Sequence, residues 1–189
     1  MAFMKISLVF PPFYLESMYN LPPLGLVNLA TMVSRPDRPV VIHDMVLALR
    51  RKDLKMGESI YDDCAEMILE RDPDMVGFSA QCTTYPAVVQ IARRLKTRRK
   101  DLLTIVGGHN ASFVDERTLG SFPWIDGVIR GEGEITFREL VEACESDRDL
   151  SRVAGLTYRR GSEILRNPDR DLLPDLNALP LPDYRFVPS

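Results

Sequence analysis

Five short apolar runs alternate along the chain with longer segments whose apolar residues recur at helical spacing. Runs that are apolar almost throughout are typical of strands buried on both faces of a parallel sheet. The alternation therefore predicts an α/β fold, a five-stranded parallel sheet with helices on both faces. Such units most often have the flavodoxin-like (Rossmann-like) strand order, with the ligand at the carboxyl ends of the strands. The predicted strands are Met4–Phe10, Val40–His43, Met75–Ser79, Leu102–Val106 and Gly127–Ile129.

Apolar stripes and start signals define the helices between these runs. The clearest stripe lies between Tyr85 and Arg98, whose arginines and lysines fall outside it. Thr136 is followed three residues later by Glu139, a capping-box pattern that predicts the start of the last helix. The predicted helices lie near Leu24–Val33, Ser59–Arg71, Tyr85–Arg98, Ala111–Leu119 and Phe137–Glu145.

The pattern changes after Ser146. Gly155–Arg159 and Glu163–Arg166 flank a Gly-containing turn and predict a β-hairpin. Prolines recur from Pro168 onward, which predicts an extended connector. We therefore expect a Rossmann-like binding domain over residues 1–146, a hairpin extension over 147–167, and a proline-rich linker over 168–189 that leads to a further domain.

Composition narrows the class of protein. The chain is 45% hydrophobic and 27% charged, as globular proteins are. Its net charge of -3 gives no general attraction to nucleic acid or anionic membrane, and no apolar run approaches the roughly 20 residues that cross a bilayer. Three cysteines without a CxxC pair argue against a disulfide framework or a zinc site. We expect a cytoplasmic protein with neither nucleic-acid nor membrane partners.

Several features do not indicate a site. GxGxxG is missing from the first loop and GxxxxGK[ST] from the whole sequence, so dinucleotide and P-loop sites lack their phosphate cradles. Asp44 is interpreted as a loop cap, and His43 as structural because no histidine or cysteine lies at ligand spacing. The basic run from Arg93 to Lys100 ends a helix and is interpreted as a solvated face rather than an RNA site.

Two of the loops at the expected ligand edge are polar or unusually long. The loop after the first strand runs from Pro11 to Pro23 and includes the candidate binding residues Pro12 and Met18. Strand-to-helix loops usually take about 2–6 residues, so this length indicates a function or a loop packed over the sheet edge. After the third strand, Ser79, Gln81 and Thr83 can hydrogen-bond a polar ligand, although Thr83 or a neighbouring threonine can instead cap a helix.

The loops after the fourth and fifth strands are rich in glycine. Adjacent glycines permit a bulky group to lie against the backbone, although a tight turn is the alternative. Near the start of the last helix, glutamates can accept hydrogen bonds from amide groups or complement the helix dipole. The candidate binding residues are Gly107, Gly108, His109, Gly131, Glu132 and Gly133.

In this order, the motifs resemble the N-terminal half of cobalamin-dependent radical-SAM enzymes. The resemblance covers essentially the whole chain, and GGH followed by GEGE is its most specific part. The matching motifs are Pro11-Pro12, Pro22-Pro23-Leu24-Gly25-Leu26, Pro73-Asp74-Met75-Val76-Gly77-Phe78-Ser79, Ile105-Val106-Gly107-Gly108-His109, Gly131-Glu132-Gly133-Glu134-Ile135-Thr136-Phe137, Gly155-Leu156-Thr157-Tyr158-Arg159 and Leu179-Pro180-Leu181-Pro182-Asp183-Tyr184.

This resemblance implies a flavodoxin-like cobalamin-binding module followed by a partial TIM barrel. That barrel binds a [4Fe–4S] cluster through CxxxCxxC and cleaves S-adenosylmethionine. Methyl transfer or related radical chemistry is implied for the full-length protein, with the C-terminal radical-SAM domain of the same polypeptide as partner. Because CxxxCxxC is missing from these 189 residues, we expect the chain alone to be inert toward S-adenosylmethionine.

Other cobalamin domains of this fold carry DxHxxG after the first strand, and its histidine ligates cobalt. The corresponding loop here has no histidine, so we expect no protein nitrogen on the lower face of cobalt. The competing interpretation is a regulatory or interaction module that binds no corrin. A phosphoacceptor receiver is a weaker alternative, because Phe10 and Ser79 stand where it needs aspartates.

Overall fold

The computed structural model describes residues 4–13, 21–146 and 149–188. Five parallel strands form the centre of the sheet in the order β2-β1-β3-β4-β5, so the predicted flavodoxin-like order is confirmed. In this order each chain crossover leaves the strand-to-helix loops at one edge, the carboxyl edge. The parallel strands are β1 (Ile6–Phe10), β2 (Val40–Asp44), β3 (Met75–Ser79), β4 (Leu103–Gly107) and β5 (Gly127–Ile129).

The predicted hairpin continues this sheet. Its strands, β6 (Leu156–Arg160) and β7 (Glu163–Arg166), extend the sheet from five strands to seven. β6 pairs antiparallel with β5, with Val128 opposite Thr157. This pairing covers the edge of β5, which would otherwise present unpaired backbone groups.

Helices cover both faces of the sheet, and two of the predictions need correction. The segment predicted near Ala111–Leu119 forms two short helices, and a helix that was not predicted follows β2 directly. Asp44 caps this additional helix by accepting a hydrogen bond from the Leu47 N–H at 2.9 Å. The helices are α1 (Leu24–Val33), α2 (Met45–Arg51), α3 (Ile60–Leu69), α4 (Tyr85–Arg98), α5 (His109–Ser112), α6 (Asp115–Ser121) and α7 (Gly133–Glu145).

The capping-box prediction for the last helix is wrong. α7 begins at Gly133, one turn before the predicted start. The buried Thr136 hydroxyl donates to the Ala154 carbonyl oxygen at 3.1 Å, and Glu139 pairs with Arg170. Both side chains are used in contacts with distant residues, which local spacing does not reveal.

The sheet separates two apolar clusters. One face packs against α2 to α6, and the other packs mainly against α1 and α7. The basic run from Arg93 to Lys100 is a solvated face only in part. Arg93, Arg98 and Lys100 are exposed, whereas Arg94 pairs with Asp62 at 2.7 Å and Lys96 with Asp126 at 2.7 Å. Within residues 4–13, 21–146 and 149–188, no helix has the length and apolar character needed to cross a bilayer.

Candidate functional site

An apolar cavity of about 150 Å³ lies between the sheet and the first turns of α1 and α7. Its floor is formed by apolar side chains and a glycine of the central strands, and its roof by residues of the two helices. It reaches the carboxyl ends of β3 and β4, the edge where ligands of such sheets bind. The residues lining this α1–α7 cavity are Leu8, Gly25, Leu26, Leu29, Gly77, Phe78, Ser79, Ile105, Gly107, Gly108, Ile129, Gly131, Gly133 and Phe137.

Six of the lining residues are glycines, and two of these leave open space. A Cβ atom placed on Gly25 or Gly131 would meet no other atom within 4 Å. One placed on Gly107 would make only ordinary contacts with Ile129, at 3.8 Å and beyond. Missing side chains therefore create much of this space, which is the feature expected of a cradle for a bulky ligand.

Gly108 has a different role from its neighbour. Its φ of +108° is a conformation that favours glycine, and a Cβ atom there would lie 2.7 Å from the Ala80 carbonyl oxygen. The Ala80 N–H donates to the Gly107 carbonyl oxygen at 2.7 Å. The group that approaches Gly108 closely is therefore the backbone of the β3–α4 loop, and the expected contact of a ligand with Gly107 stays a prediction.

The structure brings five of the predicted binding residues together around the cavity. They are Ser79, Gly107, Gly108, Gly131 and Gly133. Glu132 lies beside them, but its Oε2 accepts a hydrogen bond from the Leu173 N–H at 3.1 Å. The Gly131 N–H donates to the Ser112 hydroxyl at 3.0 Å, which ties this loop to α5.

The other predicted residues lie outside the cavity lining. Pro12 is buried at the end of β1, whereas Gln81, Thr83 and His109 are exposed near the carboxyl edge. The His109 ring stands edge-on to Phe113, with centroids 5.3 Å apart. Met18 lies outside the described residues. The binding roles of all these residues stay predictions.

The threonines after β3 do not cap α4 through their side chains. Thr84 is the N-cap residue, but its hydroxyl accepts from the Gln81 N–H at 2.9 Å, inside the β3–α4 loop. Thr83 is exposed. The loop is therefore shaped by its own hydrogen bonds, and the alternative explanation of these residues as simple helix caps is wrong.

Sequence reasoning missed the roof and the floor of the cavity. Gly25 and Leu29 lie four residues apart and so share one face of α1, while Gly77 interrupts an otherwise apolar strand. A glycine inside a strand or in the first turn of a helix often marks a close approach by another group. Gly25 and Gly77 were therefore the signal that the sequence offered, but the sequence does not reveal the distance between α1 and α7.

Thiols and histidines of the described residues form no metal centre. No group of three potential ligands among histidine, cysteine, aspartate and glutamate comes together in residues 4–13, 21–146 and 149–188. Burial raises the pKa of the Cys64 thiol to about 12 and that of Cys144 to about 11, so both stay protonated at neutral pH. Cys82 is exposed.

His43 occupies a structural position between two strands. Its Nε2 lies 3.1 Å from the Ser7 hydroxyl oxygen, and the residue is buried. Burial disfavours the charged imidazolium and, with the charge of Arg71, lowers the pKa of His43 from 6.5 to about 4. The ring is therefore neutral and enclosed, in agreement with the interpretation of His43 as structural.

We expect the free energy of unfolding to fall as the pH drops from about 6.5 to about 4. In this window the unfolded chain binds a proton at His43 that the folded chain does not bind, so protonation favours unfolding. The full loss is roughly 3 kcal/mol. When the free energy of unfolding is measured with urea across this pH range, it should change less with pH in His43→Gln than in the wild-type chain. The exposed His109→Gln is the control, and an undiminished slope in His43→Gln would contradict the assignment.

The sequence model of the B12 binding domain family matches residues 14–141, well over half of the chain. This chain belongs to the B12-binding domain family. The matched range contains the predicted binding loops after β3, β4 and β5 and every lining residue of the α1–α7 cavity except Leu8 of β1.

Relatives of this B12-binding domain are longer proteins. An uncharacterized methyltransferase, PH0819, of Pyrococcus horikoshii is 35% identical over 194 residues, matching 100% of the chain and 40% of that protein. The hopanoid C-3 methylase of Methylococcus capsulatus is 33% identical over 84% of the chain and 29% of its own length. The cobalamin-dependent radical SAM methyltransferase TokK of Streptomyces tokunonensis is 30% identical over 59% of the chain and 16% of its own length. The B12-binding domain thus spans less than half of each of these relatives.

Solved structures share the fold. The radical S-adenosylmethionine methyltransferase TsrM from Kitasatospora setae, solved with cobalamin and a [4Fe-4S] cluster, superposes with a TM-score of 0.68 at 21% identity, over 94% of this chain and 31% of that one. The cobalamin-dependent S-adenosylmethionine radical enzyme OxsB, solved with aqua-cobalamin and S-adenosylmethionine, gives 0.68 at 20% identity over 90% and 23%. At these identities the likeness establishes the fold of the domain.

Proposed function

We propose that this B12-binding domain holds cobalamin with the nucleotide tail in the α1–α7 cavity and the corrin ring over the carboxyl edge of the sheet. The observation that carries the proposal is the apolar cavity lined by glycines between the sheet and two helices. Gly25 and Gly131 supply open space where side chains would otherwise project, and a Cβ atom at Gly107 would make only ordinary contacts. An extended ligand tail that ends in a flat aromatic base matches this shape.

The lining of the cavity suits such a base, and its size suits one aromatic ring of it. An apolar protein cavity of about 150 Å³ accepts a benzene-sized ring, and this cavity has a similar volume. Leu8, Leu26, Ile105 and Phe137 surround it with apolar atoms, which favour burial of an aromatic group. Partial opening toward the carboxyl edge gives the rest of the tail a path.

Polar groups near the same edge suit the amide-bearing rim of a corrin. The exposed Gln81 and Thr83 offer hydrogen-bond donors and acceptors, and Ser79, one of the lining residues, carries a hydroxyl. Their task in this proposal is to orient the ring relative to the tail. Bound cobalamin supplies an alkyl-accepting and alkyl-donating cobalt, whereas the domain supplies position and exclusion of water.

We further propose that the full-length protein to which this domain belongs is a cobalamin-dependent radical-SAM enzyme. It is supported by the similarity to the cobalamin-dependent radical SAM methyltransferase TokK, and by the series of motifs that ends in Leu179-Pro180-Leu181-Pro182-Asp183-Tyr184. A [4Fe-4S] cluster and S-adenosylmethionine would be held by a further domain, since the cysteines of this chain lack CxxxCxxC spacing. A corrin-free regulatory module is the second candidate, and membership of the B12-binding domain family argues against it.

Titration with hydroxocobalamin tests the proposal. We expect the domain and the corrinoid to co-elute from a gel-filtration column at one equivalent, because the tail is enclosed by the fold. Cobinamide, which lacks the nucleotide tail, should bind more weakly if the tail occupies the cavity. Elution of the protein without corrin absorbance would contradict cobalamin binding, while equal affinity for both corrinoids would contradict the placement of the tail.

A further inference from the structure

Arg170 holds the second turn of α7 from outside the cavity. It belongs to residues 168–188, here called the C-terminal segment. Its Nε donates to the Thr136 hydroxyl at 2.8 Å, and its Nη2 donates to the Ala154 carbonyl oxygen at 3.2 Å and pairs with the Glu139 carboxylate. The guanidinium thus joins the C-terminal segment to the helix that carries two cavity-lining residues, Gly133 and Phe137.

The first turn of α7 lacks a side-chain cap of its own. Glu132 is the N-cap residue but makes no capping hydrogen bond within the helix. Its carboxylate instead accepts the N–H of Leu173, from the C-terminal segment. A helix start without a local cap is held less firmly, so the position of this turn depends on tertiary contacts.

The same segment then reaches the other roof helix. α1 starts after Pro23, which has no side-chain cap to offer. The Asp183 N–H donates to the Thr31 hydroxyl of α1 at 2.9 Å, and Phe186 packs against the apolar cluster that contains Leu26. One continuous stretch of chain therefore bridges the two helices that roof the cavity.

We infer that Arg170 is a positioning residue for the cofactor cavity. By fixing the first two turns of α7 against the C-terminal segment, it sets the separation of the helix from the sheet that the tail of cobalamin requires. Arg170 does not itself line the cavity, so its effect passes through Thr136 and Glu139. This inference rests on the proposed binding of cobalamin.

The test compares arginine variants of the full 189-residue chain. We expect Arg170→Ala to weaken cobalamin binding about tenfold, mainly through faster dissociation. In the cofactor-free protein, amide hydrogen exchange should accelerate in the first turns of α7 but not in α4. Arg170→Lys should recover part of the affinity, because a lysine can pair with Glu139 but lacks the fork that also reaches Thr136.

Arg160→Ala is the matched control. That arginine is exposed and pairs only loosely with Glu163, at 3.8 Å, in the hairpin, so its loss should change neither measurement. If the wild-type chain retains cobalamin and Arg170→Ala matches it in both affinity and exchange, the inference is overturned. Faster exchange in α4 as well would also overturn it, by showing a general loss of stability. If the wild-type chain binds no cobalamin, the result contradicts the proposed function itself.

Discussion

Gly25→Leu should lower the affinity for cobalamin about 10- to 100-fold while leaving the fold intact. Position 25 shares a helix face with Leu29, which lines the cavity, and a Cβ atom there meets nothing within 4 Å. The new side chain therefore occupies space proposed for the tail instead of clashing with protein atoms. Overfilling a packed site typically costs about 1–3 kcal/mol, which gives the expected range. Equilibrium titration with hydroxocobalamin measures it.

The unfolding free energy of Gly25→Leu should not fall, because leucine favours a helix over glycine. Gly57→Leu is the matched control: Gly57 also has open space around it but lies in the exposed loop between α2 and α3. Cobalamin affinity should be unchanged in that variant. Gly108→Val would be a poor test, because the clash with Ala80 threatens the loop itself. Tight binding by folded Gly25→Leu would show that the tail lies elsewhere.

Glu145→Ala should lower the free energy of unfolding by about 3–5 kcal/mol. Arg38 is 1% exposed, and its Nε donates to Glu145 Oε1 at 2.7 Å while Nη1 donates to the Val33 carbonyl oxygen at 2.8 Å. Removing the carboxylate leaves a buried guanidinium with its charge uncompensated. The pair also joins the end of α7 to the turn before β2, and Glu145→Ala removes this contact between the two elements. Urea unfolding at neutral pH measures the change.

Glu142→Ala, one turn earlier on α7, is the control. Its free energy of unfolding should differ from that of the wild-type chain by about 0.5 kcal/mol or less. Adding Arg38→Met to Glu145→Ala should restore part of the stability, since an apolar side chain needs no counter-charge in that position. A loss below about 1 kcal/mol in Glu145→Ala would indicate that water or Arg38 movement compensates the missing carboxylate.

Local pattern determined the architecture of this domain. Five apolar runs alternating with helical stripes specify a parallel sheet covered on both faces, because only a strand buried on both sides is apolar throughout. The turn at Gly161 specified the hairpin. Asp44, the last residue of β2, was interpreted as a loop cap and is the N-cap of the unpredicted helix α2. Glycines at the ends of β4 and β5 marked the edge where the α1–α7 cavity lies, since parallel strands bring those ends together.

Tertiary structure alone decided how these pieces meet. The hairpin pairs antiparallel with β5, and α7 starts a turn earlier than predicted. Thr136 and Glu139 contact Arg170 instead of capping α7, and the close approach of the Ala80 backbone requires a glycine at position 108. Arg38 and Glu145, 107 residues apart, become partners only in the fold. Periodicity predicts which face of an element is apolar, but not which element that face will contact or at what distance. The α1–α7 cavity depends on the distance of two helices from the sheet, so it follows from packing and not from the sequence pattern.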